Sequence, residues 1–482
     1  MSLLLAALAT GIAGIGRSLW LDEAWVANSI HAPSLAEMFY YPHWLQTSPP
    51  LYLLASRAAV GAFGFSNVSL RIAPLSFGLA AVVLMFSCAR RVVAMPWAAL
   101  AGALLAFSPA AVEYSHTCKQ YSAGLAATTL VLLAAVRYLQ SPSRAAYYWL
   151  VAAAAVALPL AYSTAFLIPG LLIAAASRGR KPVLLAAVCG AILLALYFAL
   201  IRPNFSPSLR RFWAADADTG LSLGLLAALL FAVAAGARAA RAALKRKAGT
   251  GEWLQIFCAC PCVLLAAAAA LDWYPLTYRT RLFALPCFLL LLAINADDLS
   301  RWLAGAYRRG QIAANAAVVC LLLATVLSGI RAQVHARPGV PKEDAAGAVR
   351  YLEASVTSGD LLLVHPSAEE SFRLYAAMDR WNKPPVIFGR TGLPCCPRGE
   401  DWRLRASTEQ SVNRDIDRMV PSGFTGRVWM LYTIRPTHWD YVGLDESKIW
   451  RHHLADRGCY IWPPNRQFEN MAITLAECPK TL

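Results

Sequence analysis

The chain alternates apolar runs of membrane-span length with short polar turns, and that texture stops near residue 330. Runs such as Gly220–Ala235, Leu254–Leu271, Leu282–Ala296 and Ile312–Ile330 carry few or no charges, as a helix surrounded by lipid requires. The pattern predicts spans at roughly 2–16, 71–88, 94–108, 120–137, 147–162, 164–177, 182–201, 220–237, 253–271, 282–296 and 311–330, about eleven in all. Pro159 and Pro169 leave two readings of 147–177, a pair of spans or one kinked helix. Pro50–Phe65 is short and interrupted by Arg57, Gly61 and Gly64, so it reads as a helix lying in the outer interface.

From residue 340 to 482 short apolar stretches alternate with amphipathic ones. Asp344–Val356 and Glu369–Met378 read as helices, and Leu361–Val364, Pro385–Phe388 and Val428–Tyr432 as strands. The chain therefore divides into a transmembrane domain, 1–335, and a small α/β domain, 340–482.

Composition agrees with the pattern. Hydrophobic residues make up 58% of the 482 positions and charged ones 15%, against about a quarter charged in a soluble protein. The net charge of +16 would suggest nucleic acid on a soluble protein. Here its placement points to topology instead, with no nucleic-acid partner. Arg90/Arg91, Arg137/Arg144, Arg178/Arg180/Lys181, Arg238/Arg241/Lys245/Arg246/Lys247 and Arg301/Arg308/Arg309 fall between apolar runs, which puts those loops in the cytoplasm. The alternate loops, and the C-terminal domain, then lie outside. Cys395, Cys396, Cys459 and Cys478 fall in that domain, where an oxidising compartment favours at least one disulfide, Cys459–Cys478 being the favoured pair. The adjacent Cys395 and Cys396 are less suited to bridging one another. Cys258-Ala259-Cys260-Pro261-Cys262 has metal-like spacing but sits in an apolar helix without His partners, so no metal site is expected there.

The outer loops concentrate unusual groups: Asp22, Glu23, His43, Glu113, Lys119, Arg202, Arg210, Arg211, Asp272, Arg279 and Arg281. Basic residues there run against the topological bias, and a bound anion at the membrane surface would account for them. A carboxylate among cations stays ionised and can serve as a general base. Taken singly, each feature has a plainer reading. Asp22-Glu23 could cap a helix, Pro49-Pro50 could open one, Lys119 could snorkel, and Arg279 and Arg281 could anchor a helix end.

Together the strings Trp20-Leu21-Asp22-Glu23-Ala24-Trp25, Ser48-Pro49-Pro50-Leu51-Tyr52, and Glu113-Tyr114-Ser115 with Lys119-Gln120-Tyr121 resemble membrane glycosyltransferases of the GT-C fold. The similarity is to the bacterial branch near the protein O-mannosyltransferases and the lipid A aminoarabinose and lipopolysaccharide galacturonosyl transferases. Tyr274-Pro275, followed by Arg279, Arg281 and Pro286, resembles a late outer-loop motif of that branch. The likeness covers roughly residues 15–290. Ser48 departs from it, since many relatives have His before the Pro pair; His43 is not at the matching position. The resemblance implies transfer of one sugar from a polyprenyl-phosphate sugar to an acceptor hydroxyl of an envelope lipid, glycan or protein, with inversion, on the outer face of a bacterial inner membrane. Asp22 would deprotonate or orient the acceptor, and Glu23 would support it or hold the loop. Lys119 and Arg279 or Arg281 would bind the donor phosphate, with Glu113, Tyr121 and Pro50 in support. No cofactor is called for, a divalent cation being left open. The competing readings are a lipid-linked glycan flippase or other transporter, which would gather charges near mid-membrane in repeated halves, and a glycan ligase.

Overall fold

The computed structural model describes residues 12, 14–41, 48–179, 182–204, 223–245, 247–271, 273–307, 310–336, 342–365, 367–383, 386–388, 409–434 and 446–479. The expected span at 2–16, His43, Arg210, Arg211, Asp272, Cys395 and Cys396 lie outside the described residues, apart from the end of that first segment.

Helices form where the apolar runs predict them: Ser69–Ala89, Met95–Ala106, Tyr121–Gln140, Arg144–Leu160, Ile168–Ser177, Val183–Leu196, Leu223–Leu244, Thr250–Ala270, Leu285–Ala306 and Gly310–Ala336. Among the described residues, 6 helices are long and apolar enough to cross a membrane. A seventh span results if Met95–Ala106 and Pro109–Ser115, bent by 56°, are taken as one. Arg144–Leu160 and Tyr162–Ser177 are shorter apolar helices at positions where spans were expected. Between them Ala161 is extended (φ −155°, ψ 111°) and Tyr162–Leu167 is a 3-10 turn, so 147–177 is two segments rather than one kinked helix. Pro169 sits in the first turn of the second segment, where its missing N–H costs nothing.

Tyr121–Gln140 is the hub, with 89% of its span window buried, whereas the windows of Val183–Asn204 and Leu225–Leu244 are 17% buried. Those peripheral helices turn Leu194, Phe198 and Leu230 outward. An outward apolar surface is what a lipid solvent permits, since only the backbone must be satisfied internally. Small residues bring the inner helices together. A Cβ on Gly78 would fall 2.0 Å from Ser115 Oγ, so the helix holding Ser115 lies directly against the Ser69–Ala89 backbone.

The C-terminal region holds a six-stranded sheet: β1 Leu361–Val364, β2 Val386–Phe388, β3 Gly426–Thr433, β4 Tyr460–Ile461, β5 Asn465–Phe468 and β6 Met471–Cys478. The order is β2-β1-β3-β6-β4 with β5 also on β6. Pairings of β1 with β2 and β3 are parallel, and those of β6 are antiparallel. Alternate side chains serve two cores, as a strand's period of two dictates. Leu363, Val428 and Met430 pack with Val412, Ile416, Trp450 and Leu454 of the Glu409–Met419 and Glu446–Asp456 helices. Leu362, Val364, Trp429 and Leu431 share a core with Ala345–Ser355 and Glu369–Met378 that runs on into the helical bundle. The Ala345–Ser355 and Glu369–Met378 helices, β1, β2 and β3 fall where the pattern put them; the Glu409–Met419 and Glu446–Asp456 helices and β4–β6 were not anticipated.

Cys459 and Cys478 are bonded, tying the start of β4 to the end of β6 across a sequence separation of 19. A loop of that size is expected to stabilise the fold by about 3 kcal/mol. Cys459→Ser should lower the melting temperature of the protein, and non-reduced peptide mapping of the wild type should recover the two cysteines linked. Two alkylatable thiols in the native protein would contradict the pairing.

Candidate active site

The site starts from a carboxylate that cannot face water. Helix Leu21–His31 buries Leu21, Glu23, Ala24, Trp25, Val26 and Ala27, leaving Asp22 half-buried at its opening turn. Acidic groups in a first turn are favoured by the helix dipole. Glu23 and Arg71 are both fully buried and meet in a two-pronged ion pair: Arg71 Nε donates to Glu23 Oε1 (3.1 Å) and Nη2 to Oε2 (2.8 Å). Burial pushes the Glu23 carboxyl up, and the Arg71 charge and hydrogen bonds more than offset it, holding the group below its ordinary value. The remaining Arg71 donors reach the carbonyls of Ile15, Arg17 and Ser18, fixing the chain that enters the helix.

Glu23 Oε1 also accepts from Cys118 N at 2.7 Å. One carboxylate thereby joins the first loop, the Ser69–Ala89 helix and the turn before Tyr121–Gln140. Tyr52, on the helix that Pro50 opens, stands behind that turn with its hydroxyl 4.0 Å from Cys118 Sγ. Because Glu23 and Arg71 touch, the chain between them leaves and returns to one level. The Pro50–Phe63 helix within that stretch is 14 residues long, one of the shorter apolar helices.

The clamped turn presents Lys119. Its side chain is 1% exposed, and among the described residues Nζ has no hydrogen-bond partner. Burial lowers its pKa, opposed in part by Asp22. Lys119 Nζ lies 4.0 Å from Asp22 Oδ2, and Arg279 Nη1 reaches the same oxygen at 3.1 Å. Arg279 comes from a Thr277–Thr280 turn in which Thr277 N donates to Thr280 Oγ1 (3.0 Å) and Thr280 N to Thr277 Oγ1 (3.3 Å). Cations from two distant stretches thus converge on one oxygen of a carboxylate from a third. His116, one residue before Thr117, is buried and pushed down to about 4, by burial first and then by Arg17 and Arg71.

The anticipated residues divide. Asp22, Lys119 and Arg279 come together. Glu23, next to Asp22 in the chain, turns instead to Arg71 and to the backbone N–H of Cys118. Arg281 lies two residues past Arg279, and no described hydrogen bond or ion pair of its side chain reaches Asp22. Glu113 turns to Lys342 (Oε1 to Nζ 2.6 Å), a residue from beyond the bundle. The Tyr121 ring packs edge-on against Tyr114 at 4.7 Å, and Tyr114 faces Tyr278 at 6.0 Å, so tyrosines line the gap between the Lys119 and Arg279 stretches. Three elements went unread: Arg71, the Thr277–Thr280 turn, and Lys342 with Glu343. An arginine opening the span expected at 71–88 was a readable signal for the first. Among the described residues there is no group of three or more His, Cys, Asp or Glu able to hold a metal ion.

Residues 47–208 match the sequence family described as dolichyl-phosphate-mannose-protein mannosyltransferase. The structure is similar to that of ArnT from Cupriavidus metallidurans in the apo state, with a TM-score of 0.54 and 12% identity over 98% of this chain and 96% of that one. The same enzyme bound to undecaprenyl phosphate gives 0.52 and 11% over the same shares. The chain has the GT-C fold. The archaeal oligosaccharyltransferase AglB from Archaeoglobus fulgidus, in complex with an inhibitory peptide and a dolichol-phosphate, is similar at a TM-score of 0.50 and 12% identity, over 97% of this chain and 73% of that one. No curated protein sequence is a significant match. With apolar helices and this fold, the protein is a multi-pass membrane protein.

Removing Arg71 would strand a buried carboxylate, a change that costs about 3–5 kcal/mol. Arg71→Ala should sharply lower the melting temperature of the detergent-solubilised protein, and Glu23→Leu with Arg71→Met should recover much of the loss. An unchanged melting temperature in the single variant would show that the pair does not hold the loop.

Proposed function

We propose that this protein is an inverting glycosyltransferase that moves a single sugar from a polyprenyl-phosphate sugar to an acceptor hydroxyl. The observation that carries the reading is the convergence of Lys119 and Arg279 on Asp22, 4.0 and 3.1 Å away. Two cations and one carboxylate are what the displacement needs. The acceptor oxygen attacks the anomeric carbon while the bond from that carbon to the phosphate oxygen breaks. The acceptor's proton passes to Asp22, and the electron pair leaves with the prenyl phosphate, whose growing charge Lys119 and Arg279 stabilise. Before the donor arrives the two cations hold Asp22; a bound phosphate draws them to itself and leaves the carboxylate to the acceptor.

Support comes from the lipid phosphates bound by the similar structures, undecaprenyl phosphate in one and dolichol-phosphate in another. A site at helix ends suits such a donor, since the prenyl tail can stay among apolar helices. The Ser69–Ala89 and Tyr121–Gln140 helices begin at the site and end at Arg90 and Arg137, the ends that the positive-inside bias assigns to the cytoplasm. The site and the C-terminal domain then face outward, in the inner membrane of a bacterium. The acceptor belongs to the envelope: a lipid, a glycan or a protein.

With a labelled polyprenyl-phosphate sugar and purified protein, Asp22→Asn should reduce transfer by ~10²–10⁴-fold while the protein stays folded. Lys119→Ala and Arg279→Ala should each lower kcat/KM for the donor by about 10²-fold, and Arg281→Ala by much less. Near-normal turnover in Asp22→Asn would remove the proposed base. Unchanged donor kinetics in both cation variants would move the phosphate site elsewhere.

A further inference from the structure

Helix Leu21–His31 begins without a cap of its own. Trp20 occupies the N-cap position and supplies no side-chain hydrogen bond to the first turn. Glu23 N turns back to Trp20 O at 2.8 Å, but the N–H of Leu21, buried at the very start of the helix and next to Asp22, has no partner within the helix. The partner comes from 322 positions away: Glu343 Oε2 accepts from Leu21 N at 2.9 Å, in a buried contact. Flanking bonds repeat the theme. Ala346 N donates to Ser18 Oγ (3.1 Å), Leu19 N donates to Tyr375 OH (2.6 Å), and Lys342 lies over the Trp20 ring at 4.8 Å.

The clamp is itself anchored in the sheet. Asp344 N donates to Glu469 O (2.8 Å), and Asn470 Nδ2 donates to Lys342 O (2.5 Å). Asn470, at φ +54°, forms the turn between β5 and β6, a backbone region that Asn tolerates better than most residues. The path from that turn to Asp22 is therefore short: Asn470 and Glu469 hold 342–344, and Glu343 holds Leu21.

We propose that Glu343 is a positioning residue for the transfer reaction, a cap supplied by the C-terminal domain that sets the first turn of the helix carrying Asp22. The inference rests on Asp22 acting as the base. Charged and titratable groups around Glu343 are Asp22 and Glu23 from the capped helix, Lys342 beside it with Glu113 beyond, and Tyr375 from the Glu369–Met378 helix. Burial pushes Glu343 up to about 7, the Leu21 N–H opposing and the two acidic neighbours adding. Its ionised form is the stronger acceptor for the Leu21 N–H, so the cap favours turnover above that pH.

The test compares purified wild type, Glu343→Ala and Glu343→Gln in lipid nanodiscs, using a labelled polyprenyl-phosphate sugar and hydrogen exchange read by mass spectrometry. Glu343→Ala should lower kcat on the order of 3–30-fold, the loss expected from a missing cap, with donor KM within about twofold. Exchange should accelerate in peptides covering 19–27 and not in the Ser69–Ala89 helix. Glu343→Gln keeps an acceptor oxygen, so it should retain the exchange protection and most of kcat at pH 8, and should lose an inflection near pH 7 that wild type shows. Unchanged kcat and exchange in Glu343→Ala would overturn the proposal, as would a Gln variant as defective as the Ala one. If the Ala variant does not fold, the Gln variant decides: a retained inflection or a deprotected 19–27 segment overturns it. An Asp22→Asn control separates the two levels. A fully active control defeats the functional reading and this inference together; an inactive control beside a normal Glu343→Ala defeats only the inference.

Discussion

The whole arrangement depends on a buried ion pair between Glu23 and Arg71. Both are fully enclosed, and a charge in that setting is tolerable only when it is paired and its remaining positions are hydrogen-bonded. Arg71 meets the condition by donating to Glu23 and to three backbone carbonyls, and Glu23 by accepting from Arg71 and Cys118 N. Few other placements satisfy so many groups, so the pair acts less as a source of net stability than as a register mark. It sets one loop, one helix start and one turn at a common level, and the candidate site groups Asp22 and Lys119 follow as immediate neighbours.

Around that mark the protein keeps its cations and its carboxylate within reach of one another yet incompletely matched. Lys119 is buried with no hydrogen-bond partner among the described residues, 4.0 Å from Asp22 Oδ2. Arg279 holds Asp22 from a turn stiffened by reciprocal threonine bonds. An ammonium so placed is costly, and a phosphate offers it a better partner than Asp22 does. In the proposed reaction that difference exchanges ion pairs on donor binding and frees the base. The C-terminal domain shares a continuous core with the bundle and reaches the same first turn through Glu343, so the sheet belongs to the site's architecture as well as its surroundings.

The periodicity of the chain made most of the helices legible, because a lipid-facing helix has few sequence solutions. The early elements of the sheet domain were readable for the same kind of reason, as short apolar stretches between amphipathic ones. Within the site, Asp22, Lys119 and Arg279 stood out because charges at span ends are rare and costly. The role of Glu113 was not legible, and that of Glu23 was legible only as one of two alternatives. Adjacent to Asp22 in sequence, Glu23 differs from it only in which way a helix turns it, and the partner of Glu113 lies 229 positions away. Arg71, the Thr277–Thr280 turn and Glu343 escaped for a related reason: each is defined by a contact between distant stretches, which no local pattern encodes.

The most direct test of the account is a structure of the protein bound to a polyprenyl monophosphate. The predicted result places phosphate oxygens within hydrogen-bond distance of Lys119 Nζ and the Arg279 guanidinium, with Asp22 released from Arg279 and the Glu23–Arg71 pair unchanged. A phosphate bound away from Lys119, with Arg279 still on Asp22, would contradict it.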